Sequence, residues 1–127
     1  LWHYLHMAEG NYREYLKVDL VKAKKYFYVL RPILACRWIL ETGATPPMRF
    51  EELMESQLPA YLKDTVRDLL DLKMNSPEVK MIPRIDILNE YLETSITEVK
   101  SQIEQYPREV VKEWDELNRL FLSVLES

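Results

Sequence analysis

Apolar side chains recur at helical spacing along nearly the whole chain. Over residues 1–17, Leu1, Tyr4, Leu5, Ala8, Tyr12 and Leu16 follow a period close to 3.6. Gly10 interrupts that run, which predicts two short helices or one with a loose middle. From residue 20 to residue 41 the apolar positions point almost everywhere. Tyr26, Val29, Ile33 and Leu40 take one side, and Phe27, Leu30, Leu34 and Trp38 another. A helix apolar nearly all round belongs in the middle of a bundle. Pro32 lies inside it, removes one backbone hydrogen bond and crowds the carbonyl of Tyr28, which predicts a kink. The pattern continues into Trp38 and Ile39, so the helix bends there and does not stop. Residues 42–49, with Gly43, Pro46 and Pro47, read as a loop. Beyond it, Pro59, Pro83 and Pro107 stand where a helix start tolerates a missing N–H, which predicts helices over 49–57, 59–75, 83–106 and 107–126. Ser76-Pro77-Glu78 reads as a cap and short turn. Ile85, Leu88, Leu92, Ile96, Val99 and Ile103 form one stripe; Val110, Trp114, Leu117, Phe121 and Val124 form another. No period-two run or turn dipeptide signals a strand. The expected architecture is a single all-α domain over residues 1–127, a five- to six-helix bundle around a long, Pro-kinked central helix.

Composition narrows the function. The 127 residues contain two glycines, Gly10 and Gly43, too few for a Gly-rich phosphate loop or a dinucleotide fingerprint. A lone Cys36 excludes an internal disulfide framework and fits a reducing cytoplasm. No apolar run has the length of a membrane span. The chain opens inside an apolar-periodic pattern without a start methionine, which predicts a piece of something longer. Its net charge of −4 hides an asymmetry. Residues 13–37 carry seven cations and two anions, whereas residues 38–127 carry ten cations and eighteen anions. A basic segment in an acidic domain points to one localised anion site, or to two halves that neutralise each other by surface pairing.

Catalytic constellations are scarce. Glu113 and Asp115 point about 200° apart on a helix and cannot share a metal. Glu52 with Glu55, and Asp68 with Asp71, share a face but lack a third ligand and read as solvated carboxylates. His3 and His6 likewise lack one. Cys36 sits in the central helix and reads as inert packing. The informative stretch is Lys22 to Ile39, where cations and tyrosines are threaded through an otherwise apolar helix. Lys24, Tyr28, Arg31, Ala35 and Trp38 line one side; Lys22, Lys25 and Val29 line the next. Such charges are costly on a buried helix unless paired or opened to a cleft. Either they reach the surface or the acids Asp64, Asp68 and Asp71, or they line a cleft for an anionic ligand, with tyrosine hydroxyls as donors and Ala35 leaving space.

Four blocks carry a family likeness: His3-Tyr4-x2-Met7-Ala8-x2-Asn11-Tyr12, Lys24 through Pro32, Cys36-Arg37-Trp38-Ile39, and Pro46-Pro47-Met48-x-Phe50-x2-Leu53. Across residues 1–55 the chain resembles the C-terminal part of bacterial and phage nucleotidyltransferases of the DNA polymerase beta superfamily associated with RNA repair. The resemblance implies a catalytic palm with a Gly-Ser turn and paired aspartates holding two magnesium ions. Neither motif is in this chain, which places the palm upstream and predicts that the helical part is inactive alone. It further implies a helical domain offering basic and tyrosine side chains to a nucleoside triphosphate. The matching residues here are Lys24, Lys25, Tyr28, Arg31 and Arg37, with His3, Tyr4 and Asn11 as weaker matches. RNA is an implied partner, and no membrane is. The rival expectation is a helical docking or oligomerisation module with no nucleotide contact, for which an exposed apolar stripe on the last two helices would speak.

Overall fold

The structure, a computed structural model, describes residues 1–75 and 81–117. Helix α1 spans Trp2–Tyr15 and buries Tyr4, Leu5, Ala8 and Tyr12. It is one continuous helix: Gly10 lowers its local propensity without breaking it, because the buried positions on both sides pack on a common neighbour. That neighbour is α2, Ala23–Thr42, which also packs against α3 (Phe50–Gln57), α4 (Ala60–Asn75) and α5 (Asp86–Glu104). The buried residues of α2 run from Ala23 through Ile39 and include Pro32, past which the helix continues without a stop. The expected central position of this helix is met. A sixth helix, α6, covers Arg108–Leu117 and buries Val111.

The protein is mostly helical but not all-α. Leu20–Lys22 forms strand β1 and Met81–Pro83 forms strand β2, paired antiparallel with Leu20 opposite Pro83, Val21 opposite Ile82 and Lys22 opposite Met81. The Arg84 N–H extends the pairing by donating to the Asp19 carbonyl at 2.9 Å. Three-residue strands are too short to show a period, and each is stable only because of a distant partner. This overturns the expected start of the central helix at residue 20 and of the next long helix at residue 83. Pro83 instead ends a strand, where its missing N–H is tolerated.

The α5 stripe is inward: Leu88, Leu92, Ile96, Val99 and Ile103 are buried. Of the α6 stripe, Val110 and Trp114 are half-buried. The 76–78 turn, the side chain of Leu117, and Phe121 and Val124 lie outside the described residues. No helix among the described residues is long and apolar enough to cross a membrane.

Candidate functional site

The strand before α2 decides where the site's charges lie. Because the helix begins at Ala23, its N-cap is Lys22, and Lys24 and Lys25 stand in its first turn. That turn contains no acidic residue, and the cap side chain makes no hydrogen bond to the helix. A helix N-terminus carries about half a positive charge, so cations there are disfavoured and an anion is favoured. Three lysines at that end concentrate positive potential, and among the described residues no ion pair cancels it.

Helical geometry gathers four of the candidates. Lys24, Lys25, Tyr28 and Arg31 fall within an arc of about 120° at 100° per residue. This arc is the outer face of α2: Lys24 and Tyr28 are exposed, and Lys25 and Arg31 are half-buried. Aromatic rings hold the cations in place. The Lys25 Nζ lies 3.9 Å from the ring centre of Tyr15, at the end of α1, and 4.5 Å from that of Tyr28. The Arg31 guanidinium lies 5.7 Å from the Phe50 ring at the start of α3. From the last turn of α4, the Lys73 Nζ lies 4.9 Å from the Phe27 ring. Burial lowers the pKa of Arg31, which Glu51 partly opposes. Among the described residues none of Lys24, Lys25, Arg31 or Lys73 makes an ion pair. The downstream acids do not meet them: Asp64 pairs with Arg67 on its own helix at 3.6 Å, and Asp68 and Asp71 are exposed.

The other candidates are not brought here. Arg37 points about 180° from Tyr28 around α2. Its Nη2 donates to Ser95 Oγ and to Glu98 Oε2, both at 2.9 Å, so it ties α2 to α5. Ala35 is fully buried and leaves no opening. Tyr4 is buried in the core, where burial holds its phenol well above the ordinary range. His3 is exposed and Asn11 half-buried on α1. His3 and Tyr4 lie at the opposite end of α1 from Tyr15, about 17 Å along the axis at 1.5 Å per residue.

Tyr15, Phe50 and Lys73 join the site unforeseen. Phe50 stands in one of the resembling blocks, which was its available signal. Lys73 had none, because only the packing of α4 on α2 brings it near Arg31. Among the described residues no three His, Cys, Asp or Glu side chains group as metal ligands. Lys24, Lys25, Tyr28 and Arg31 themselves offer no carboxylate, imidazole or thiolate to a metal ion. Guanidinium and ammonium groups held on rings, unpaired with acids, suit a phosphate by charge-assisted hydrogen bonding.

Comparison with known proteins agrees with the likeness in the blocks. The family described as the RNA repair pathway DNA polymerase beta family, RlaP, matches residues 1–123. The chain is similar to the uncharacterized protein YcgL of Bacillus subtilis (strain 168), with 41% identity over 127 residues. That alignment takes in 99% of this chain and 49% of the relative, so the chain spans about half the relative's length. No solved structure matches it.

Proposed function

Because the chain belongs to the RNA repair pathway DNA polymerase beta family, we propose that it is the helical, nucleotide-side part of a magnesium-dependent nucleotidyltransferase. Lys24, Lys25, Tyr28 and Arg31 contact the triphosphate of the incoming nucleotide. The catalytic palm, with its magnesium ligands, is carried by another part of the full-length protein, and the acceptor is an RNA in the cytoplasm. One observation supports this most: the first turns of α2 present lysines and an arginine without acidic partners among the described residues. Unpaired cations partly withdrawn from water are costly, and a bound polyphosphate would offset that cost.

In this mechanism the lysines act as point charges and Arg31 as a rigid fork, each holding negative charge on the phosphates while transfer proceeds. The expected outcome of Lys25→Ala or Arg31→Ala in the full-length protein is a nucleotide KM raised, or kcat lowered, by about ten- to a hundredfold. That range corresponds to about 1.5–3 kcal/mol for a hydrogen bond to a charged group. Melting temperature stays close to wild type. Unchanged kinetics with a large loss of melting temperature would assign both residues to packing.

A further inference from the structure

Arg31 and Lys73 reach two touching aromatic rings from different helices. Arg31 comes from the middle of α2, and Lys73 from the last turn of α4. Between them lie Phe27 and Phe50, edge to face with ring centres 5.2 Å apart and both buried. Each cation covers one ring: Lys73 Nζ lies 4.9 Å from the Phe27 centre and Arg31 Cζ 5.7 Å from the Phe50 centre. Burial lowers the pKa of Lys73, and the Arg31 charge lowers it further. Two like charges are thus held close enough to oppose each other in a partly desolvated setting. Glu51 tempers Arg31 without pairing with it.

A purely structural account covers part of this. A lysine in the last turn of a helix is favoured by the helix dipole, and a cation over a ring is attracted to its electron-rich face. Neither effect explains why a second cation is set beside the first. A phosphate reached by both side chains does, because it turns mutual repulsion into two attractions.

We propose that Arg31 and Lys73 are the two jaws of one phosphate subsite, which takes the far end of a polyphosphate whose near end meets Lys24 and Lys25. The proposal rests on the nucleotide reading and adds a residue from α4 to it. Arg31 lies six residues beyond Lys25 on α2, about 9 Å of rise, which long side chains bridge over a short polyphosphate chain.

The test is calorimetric titration of the full-length protein with inorganic tripolyphosphate, which has neither base nor ribose. Lys73→Met keeps the stem on Phe27 and removes the charge. It is expected to weaken binding about tenfold or more, while Lys73→Arg restores it to within about threefold. The ligand-free melting temperature of Lys73→Met should stay within a few degrees of wild type, with Lys73→Gln as a second charge-free variant should it not. Wild-type affinity in Lys73→Met or Lys73→Gln overturns the subsite. If Lys25→Met weakens binding under those conditions, the nucleotide face stands without Lys73. If Lys25→Met and Arg31→Met also bind as wild type, the nucleotide reading falls together with the subsite.

Discussion

A single buried phenol joins three elements of this protein. The Tyr26 hydroxyl donates to Asn89 Oδ1 at 2.5 Å and accepts the Ile85 N–H at 2.8 Å, while Asn89 Nδ2 donates to the Leu16 carbonyl at 2.7 Å. The end of α1, the body of α2 and the start of α5 therefore share one satisfied polar network. Burial holds the Tyr26 phenol above its ordinary pKa, so the proton it donates stays in place. Tyr26→Phe leaves the Ile85 N–H and the Asn89 amide short of a partner inside the core. The expected cost is about 1–3 kcal/mol, seen as a lower midpoint in urea with an unchanged slope. A midpoint equal to wild type would mean that water replaces the hydroxyl. From the chain pattern, Tyr26 is readable as a core residue. Its hydroxyl's role is not, because Asn89 looks like any polar position on a helix until its neighbours are known.

At the level of elements, the two glycines should respond with opposite signs. Gly43 ends α2 in the left-handed region, φ 69°, with its N–H donating to the Ile39 carbonyl at 2.7 Å. A Cβ there would meet Trp114 Nε1 at 3.6 Å, an ordinary contact, so the cost of Gly43→Ala is conformational and about 1 kcal/mol. Gly10 lies within α1, where a Cβ would meet nothing within 4 Å. Gly10→Ala should therefore stabilise by about 0.5–1 kcal/mol. Thermal melts of the two variants should shift in opposite directions; a shared sign refutes the assignment. The Gly43 cap is legible from Gly before Pro-Pro. The start of α2 is not, since Leu20 and Val21 continue an apolar pattern that suits helix or strand, and only β2 selects strand. That difference moves Lys24 and Lys25 from the body of a helix to its positive end.

For the molecule as a whole, burial of ionisable groups sets an alkaline limit. Burial pushes the Cys36 thiol up to about 12, and it raises the phenols of Tyr4, Tyr12 and Tyr26. In the unfolded chain the thiol ionises near pH ~8.5 and phenols near ~10. A folded pKa above the unfolded one contributes stability that is complete below the unfolded value and is lost as pH rises toward the folded one. Melting temperature should thus stay level up to about pH 8.5 and fall steadily from about pH 9 to 11. In Cys36→Ala, the fall should begin about one pH unit later, where the phenols take over. A profile level to pH 11 would contradict the burial of these groups. The α5 stripe is spent on the protein's own core, while of the α6 stripe only the half-buried Val110 and Trp114 have described side chains. Helical content, the central place of α2 and a basic face on it were all legible in the amino-acid order. Local periodicity and charge placement act within a few residues, and so they survive without knowledge of the fold. Chain order could not disclose the paired strands, the diversion of Arg37 to Glu98, or the approach of Lys73 to Arg31. Each of these is a meeting of distant segments, and its energy exists only once the packing of α4 and α5 on α2 has brought them together.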